Sequence, residues 1–171
     1  MQGKLHPTVR FAPEPSGFLH LGHLKPLFLN EILIRKGGTY LIRIDDTNPI
    51  TEDENFVEAI LEDLASLSLP SLSITFSSSF FEPLLGKLKE LLEKGLAYFD
   101  GSSRENISLG RREGLPSPYR EASVEDNLIL FKRLLEGTLE GYIVRAKIDM
   151  EHPNKAMRDP TLYRRIDKEH Q

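Results

Sequence analysis

The sequence predicts an α/β fold, a parallel sheet of doubly wound type with flanking helices, followed by a smaller α+β region. Three observations carry this. Apolar residues pass from alternate to helical spacing and back over residues 8–44; two Ser/Thr-x-x-Glu patterns introduce further amphipathic runs; and "LSITF" between those runs has strand character.

Val9 to Phe11 is a short strand leading into the Pro/Gly loop "PEPSG". Leu24, Leu27, Phe28, Ile32 and Leu33 then recur at helical spacing until Gly37-Gly38 ends the helix, with Pro26 tolerated in its first turns. Thr39 to Ile44 alternates Tyr40, Ile42 and Ile44 against Leu41 and Arg43, a strand that stops at Asp45-Asp46. Thr51-x-x-Glu54 has the form of a capping box for a helix presenting Phe56, Val57, Ile60, Leu61 and Leu64, and Ser79-x-x-Glu82 introduces one carrying Leu84, Leu85, Leu88, Leu91 and Leu92. After Asp100 the texture changes to a polar stretch with Gly and Pro, a helix from about Ser123 to Leu135, and an alternating strand from Tyr142 to Ile148. A domain boundary is expected there, giving domains 1–99 and 100–171.

With 39% hydrophobic and 28% charged residues, the composition is that of an ordinary globular protein rather than a disordered one. A net charge of −4 disfavours nucleic-acid binding through overall charge and leaves a local basic face open. The absence of cysteine removes disulfides and thiolate metal sites. The opening "MQGKLHPTVRF" has no hydrophobic signal region and no apolar run is long enough to span a bilayer, so a cytoplasmic location away from membranes is expected. Asn106-Ile107-Ser108 fits the glycosylation pattern, which without a secretory signal reads as an accident.

Three readings compete for His20 and His23, at the mouth of the first helix: histidines without a role, a metal pair, or a phosphate-binding pair. A helix N-terminus attracts phosphate through free amides and the macrodipole, Gly22 lets a ligand approach the backbone, and imidazolium donors can stabilise developing charge. Asp45 and Asp46 end a strand at the carboxyl edge of the sheet, where open α/β folds bind ligands and paired carboxylates can hold a magnesium ion or a substrate ammonium; from the residues alone a plain Asx turn is the favoured reading. Lys155, Arg158, Arg164, Arg165 and Lys168 outnumber Asp159 and Asp167, forming either an RNA contact or a solvated surface.

Beyond these local readings, "PSGFLHLGH" resembles the "HIGH" signature of class I aminoacyl-tRNA synthetases, with Leu21 in the isoleucine position. "RIDDTNP", "SPYREASVEDNL", "RAKIDM" and "MRDPTLYR" follow in the order of the glutamyl- and glutaminyl-tRNA synthetases, so the resemblance runs from about Thr8 to Tyr163. It implies the first half of a Rossmann-type nucleotide-binding fold followed by an insertion that holds the tRNA acceptor end. It also implies glutamate–tRNA ligase activity of the eukaryotic and archaeal type: glutamate is activated to its adenylate with ATP and transferred to tRNA(Glu). The alternatives are a glutaminyl-tRNA synthetase and a non-catalytic RNA-binding fragment.

By the same resemblance His20 and His23 are catalytic. Glu14, Pro15, Ser16, Gly22 and Lys25 surround ATP with them, and Arg10 and Asp45 hold the amino acid. Lys155, Arg158, Arg164 and Arg165 would touch tRNA. ATP enters with Mg2+ as substrate, no structural metal is expected, and multisynthetase-complex partners would act through regions not in this sequence. The chain stops at "DKEHQ", before the family's tyrosine-bearing segment, "KMSKS" loop and anticodon-binding domain, so it is expected to be a truncated, inactive piece.

Overall fold

The computed structural model describes residues 6–67, 69 and 72–166. Lys168 lies outside them. Two compact units divide between Phe81 and Glu82, the second running over Glu82–Arg165.

The first unit holds strands β1 (Thr8–Phe11), β2 (Thr39–Ile44) and β3 (Leu72–Phe76) in a parallel sheet of order β1-β2-β3, with α1 (Leu21–Ile34) and α2 (Glu54–Ser66) as crossovers. Both connections step the same way across the sheet. Right-handed crossovers therefore put both helices on one face, and Leu27, Ile34, Ile60 and Leu64 join Val9, Phe11, Tyr40, Ile42 and Ile44 in one core. The period-2 pattern read in β2 is the pattern observed, with Tyr40, Ile42 and Ile44 fully buried. In α1 the expected inward face is corrected: Leu27 and Ile34 are buried, while Phe28, Ile32 and Leu33 are exposed at 41%, 52% and 64%. That helix is apolar nearly all round, so spacing alone could not choose its core face.

Two expected capping boxes also give way to other caps. At α2 the N-cap is Asp53, whose carboxylate accepts from the Asn55 N–H at 2.9 Å, while Thr51 bonds back to the Asn48 carbonyl. Ser79 lies inside a 3-10 turn (Ser78–Phe80) that runs directly into α3 (Phe81–Glu93); the cap comes from Asp46, which accepts from both the backbone N–H and the hydroxyl of Ser78.

In the second unit, β4 (Ala97–Asp100), β5 (Ile143–Ala146) and β6 (Thr161–Arg164) form an antiparallel sheet of order β4-β5-β6, accompanied by α3, α4 (Arg104–Glu113) and α5 (Val124–Leu135). Leu88 and Leu92 of α3 pack with Ala97, Phe99, Phe131, Leu134 and Val144. Packing thus groups α3 and β4 with elements later in the chain, whereas the sequence expectation counted them with the earlier ones. The other side of this sheet carries charge. Arg145, fully buried on β5, pairs with Asp100 at 2.8 Å and donates to the Asp159 carbonyl; Asp159, also buried, accepts from Arg120, Tyr98 and the Ile148 N–H. Burial pushes the Asp100 carboxyl up, but hydrogen bonds from Arg145 and Ser102 outweigh it and hold it below its ordinary value.

Candidate functional site

The loop between β1 and α1 determines where the predicted residues lie. Its Pro13 carbonyl accepts from the Asp45 N–H at 2.9 Å and its Pro15 carbonyl from the Asp53 N–H at 3.3 Å, which ties "PEPSG" to the carboxyl end of β2 and the start of α2. Pro13 and Pro15 are buried, whereas Glu14 and Ser16 between and beside them are exposed. The loop delivers the chain to α1 with His20 as N-cap.

Here the two histidines cap each other's turn. The Gly22 N–H donates to His20 Nδ1 at 3.1 Å, and the His20 N–H donates to His23 Nδ1 at 3.2 Å, a capping box built from imidazoles. The ring centroids are 4.0 Å apart. Burial, and to a smaller degree the neighbouring His20, lower the proton affinity of His23 below its ordinary value, and its ring meets Phe11 of β1 edge-on. Gly22 has a local role that the sequence did not suggest: a Cβ there would lie 2.8 Å from His20 Cε1, so only glycine lets that ring fold over its own turn. Four residues on, Pro26 is accommodated inside the helix although it has no N–H to offer the Gly22 carbonyl. Lys25 is exposed on the same turns.

Arg10 and Asp45 are both exposed near the carboxyl edge of the sheet, Arg10 on β1 and Asp45 directly after β2. Asp45 accepts from the Thr47 hydroxyl at 3.2 Å. Among the described residues Arg10 and Asp45 form no ion pair with each other. The two carboxylates of "DDTNP" separate cleanly: Asp45 faces solvent, and Asp46 is buried as the cap of the Ser78 turn. Asn30, unremarked in the sequence, donates from α1 to the Arg10 carbonyl at 2.8 Å and so holds β1 against the helix. Its signal was a lone amide in the apolar run "PLFLNEIL".

A pocket of about 380 Å3 opens elsewhere in this unit, between Pro15, Asp46, Val57, Phe76 and Ser78. Its rim of Glu52, Asp53, Glu54 and Glu58 repels phosphate, so its chemistry does not suit the triphosphate of ATP. Among the described residues no group of three or more His, Asp or Glu side chains could hold a metal ion.

In the second unit the basic residues sort into two kinds. Arg158 donates to the His152 carbonyl at 2.7 Å and to the Arg111 and Arg112 carbonyls at 3.0 and 2.9 Å, bracing the end of α4, and Arg165 donates to the Gly137 carbonyl at 2.9 Å. Lys155 and Arg164 are exposed. Asp159, counted as their counter-charge in sequence, is fully buried and pairs with Arg120.

The family model "tRNA synthetases class I (E and Q), catalytic domain" matches residues 7–171. The chain belongs to this family. Among class I E/Q synthetases, it is 48% identical to a probable cytoplasmic glutamate–tRNA ligase of Vairimorpha ceranae, over 95% of this chain and 27% of that protein. It is 41% identical to a glutamine–tRNA ligase of Ralstonia nicotianae, over 91% of this chain and 29% of that protein. In fold it is similar to the crystal structure of a glutamate–tRNA synthetase from Elizabethkingia anophelis, with a TM-score of 0.60, 22% identity, and coverage of 84% of this chain and 33% of that one. The chain therefore spans about a third or less of the length of these synthetases.

Proposed function

We propose that this chain supplies one half of the adenylate-forming site of a glutamate–tRNA ligase, with the mouth of α1 receiving the ATP phosphates. The observation that carries the proposal is the mutual capping of His20 and His23, which leaves both Nε2 atoms free to face a ligand where free amides and the helix dipole favour an anion. Glu14, Pro15, Ser16, Gly22 and Lys25 line the approach of ATP, which enters as its Mg2+ complex. Arg10 meets the glutamate side chain and Asp45 its α-amino group, both near the carboxyl edge of a parallel sheet. The glutamate carboxylate attacks the α-phosphorus, pyrophosphate leaves, and the acyl group then passes to the tRNA acceptor end. The second unit, with its exposed Lys155 and Arg164, is read as the acceptor-end insertion, and the setting as the cytoplasm. No helix among the described residues is long and apolar enough to cross a membrane.

Glutamate is preferred to glutamine because a guanidinium grips a carboxylate with two charge-assisted bonds and an amide with one, a difference of roughly 1.5–3 kcal/mol in a desolvated site. The identity to glutamine–tRNA ligases keeps glutamine as the second reading. One experiment separates them. Residues 7–171 replace the matched segment of the Saccharomyces cerevisiae glutamate–tRNA ligase, to which the chain is 43% identical, and ATP–pyrophosphate exchange is measured with each amino acid. Exchange with glutamate, lost on Arg10→Ala, is expected, and none from the isolated chain. A chimera that prefers glutamine, or one indifferent to Arg10→Ala, overturns the assignment.

A further inference from the structure

The nitrogens that cap α1 also settle where the ring protons are. A histidine nitrogen that accepts a hydrogen bond presents its lone pair, so in a neutral ring the proton resides on the other nitrogen. Nδ1 of His20 accepts from the Gly22 N–H and Nδ1 of His23 accepts from the His20 N–H. We infer that the first turn of α1 holds both rings as neutral Nε2–H donors, and that Gly22 is the positioning residue that keeps His20 in this state.

Gly22 contributes in two ways. Its N–H sits at the second helical position, where no helical carbonyl is available, and His20 Nδ1 at 3.1 Å takes that place. Its missing Cβ provides the room, since a methyl group would come within 2.8 Å of Cε1 and 3.0 Å of Nδ1 and push the ring off the amide. Protonating either Nδ1 removes an acceptor from the cap. It also sets a charge beside a second ring whose centroid is 4.0 Å away. From β1 the group facing His23 is the uncharged Phe11 ring, and His20, were it protonated, would only repel a second proton, so no carboxylate in these contacts favours the imidazolium. Imidazolium donors are the expectation from sequence; the inferred state offers uncharged ones instead. Two N–H groups of uncharged rings are left outside the cap's own hydrogen bonds, available to the oxygens of a phosphoryl group, and acidification dismantles their support. The inference rests on the phosphate reading of the site only for what the donors face; the protonation state belongs to the turn itself.

The test uses the 171-residue chain, labelled with 15N. At about pH 8, above the ordinary histidine range, trans-hydrogen-bond 15N–15N couplings are expected from the Gly22 amide to His20 Nδ1 and from the His20 amide to His23 Nδ1. Acidification should remove both. Gly22→Ala should lose the His20 coupling while the amide spectrum stays dispersed; should that variant fail to fold, the wild-type couplings and their loss in acid still decide the matter. Inorganic sulfate added at about pH 8 should move the Nε2 resonances of both rings more than Nδ1. Protons found on Nδ1 in the wild type, absence of both couplings, or an undiminished coupling in Gly22→Ala overturns the inference. Couplings that are present without any response to sulfate uphold the protonation state and count instead against the phosphate reading.

Discussion

His23 shows what a single side chain contributes through its surroundings. Burial is the larger cause of its lowered proton affinity and repulsion between the two rings when both carry protons the smaller, so the unfolded chain takes up the proton more readily than the folded one. The stabilisation is complete above the ordinary value of 6.5 and is lost as pH falls through the lowered folded value. Resistance of the chain to urea should weaken as pH falls below about 6.5, before most carboxylates titrate. His23→Asn, whose Oδ1 can still accept from the His20 N–H, should flatten that slope, and an equally steep decline in the variant would place the acid sensitivity elsewhere. At this scale the sequence showed which residues cluster. It did not show that Gly22 shapes a histidine, because the 2.8 Å contact exists only once the turn is folded.

At the scale of elements, helix starts were the least legible feature. Thr51-x-x-Glu54 and Asp53 are both good local caps, and nothing within the segment chooses between them. The choice is made from outside, by the Pro15 carbonyl that accepts from the Asp53 N–H and holds this residue extended, with φ −141° and ψ 134°. Asp53→Ala should therefore cost about 1 kcal/mol in urea unfolding, and Thr51→Ala should stay within about 0.5 kcal/mol. The opposite ordering would return the cap to Thr51. Strands with alternating burial, such as Tyr40 to Ile44, were readable because the pleat alone predicts the pattern. Helix α4 was not. Its sequence, "RENISLGRRE", buries nothing, and its limits come from Ser103 at one end and Gly114, at φ 78°, at the other.

For the molecule as a whole, family was more legible than packing. The basic residues near the end illustrate the difference: the sequence groups Lys155, Arg158, Arg164 and Arg165, but folding engages Arg158 and Arg165 with carbonyls. Arg158→Ala should lower the unfolding midpoint, whereas Arg164→Ala should leave it unchanged and reduce the salt slope of acceptor-stem RNA binding to the chain by about 1. A stable Arg158→Ala variant, or an Arg164→Ala variant with an unaltered slope, would reverse these assignments. By itself the sequence determined the strand–helix alternation of the first unit, the position of the histidine pair at a helix mouth and, through its ordered motifs, the synthetase family. These depend on covalent order and local periodicity, which are visible in one dimension. Only the tertiary structure decided which face of α1 is buried, that α3 and β4 pack with later elements of the chain, that Asp46 serves a turn while Asp45 stays exposed, and that Arg145 and Asp159 hold a buried charge network. Each of these depends on partners distant in the chain, and a charged or apolar residue carries no local mark of whether folding will bring it a partner or leave it in water.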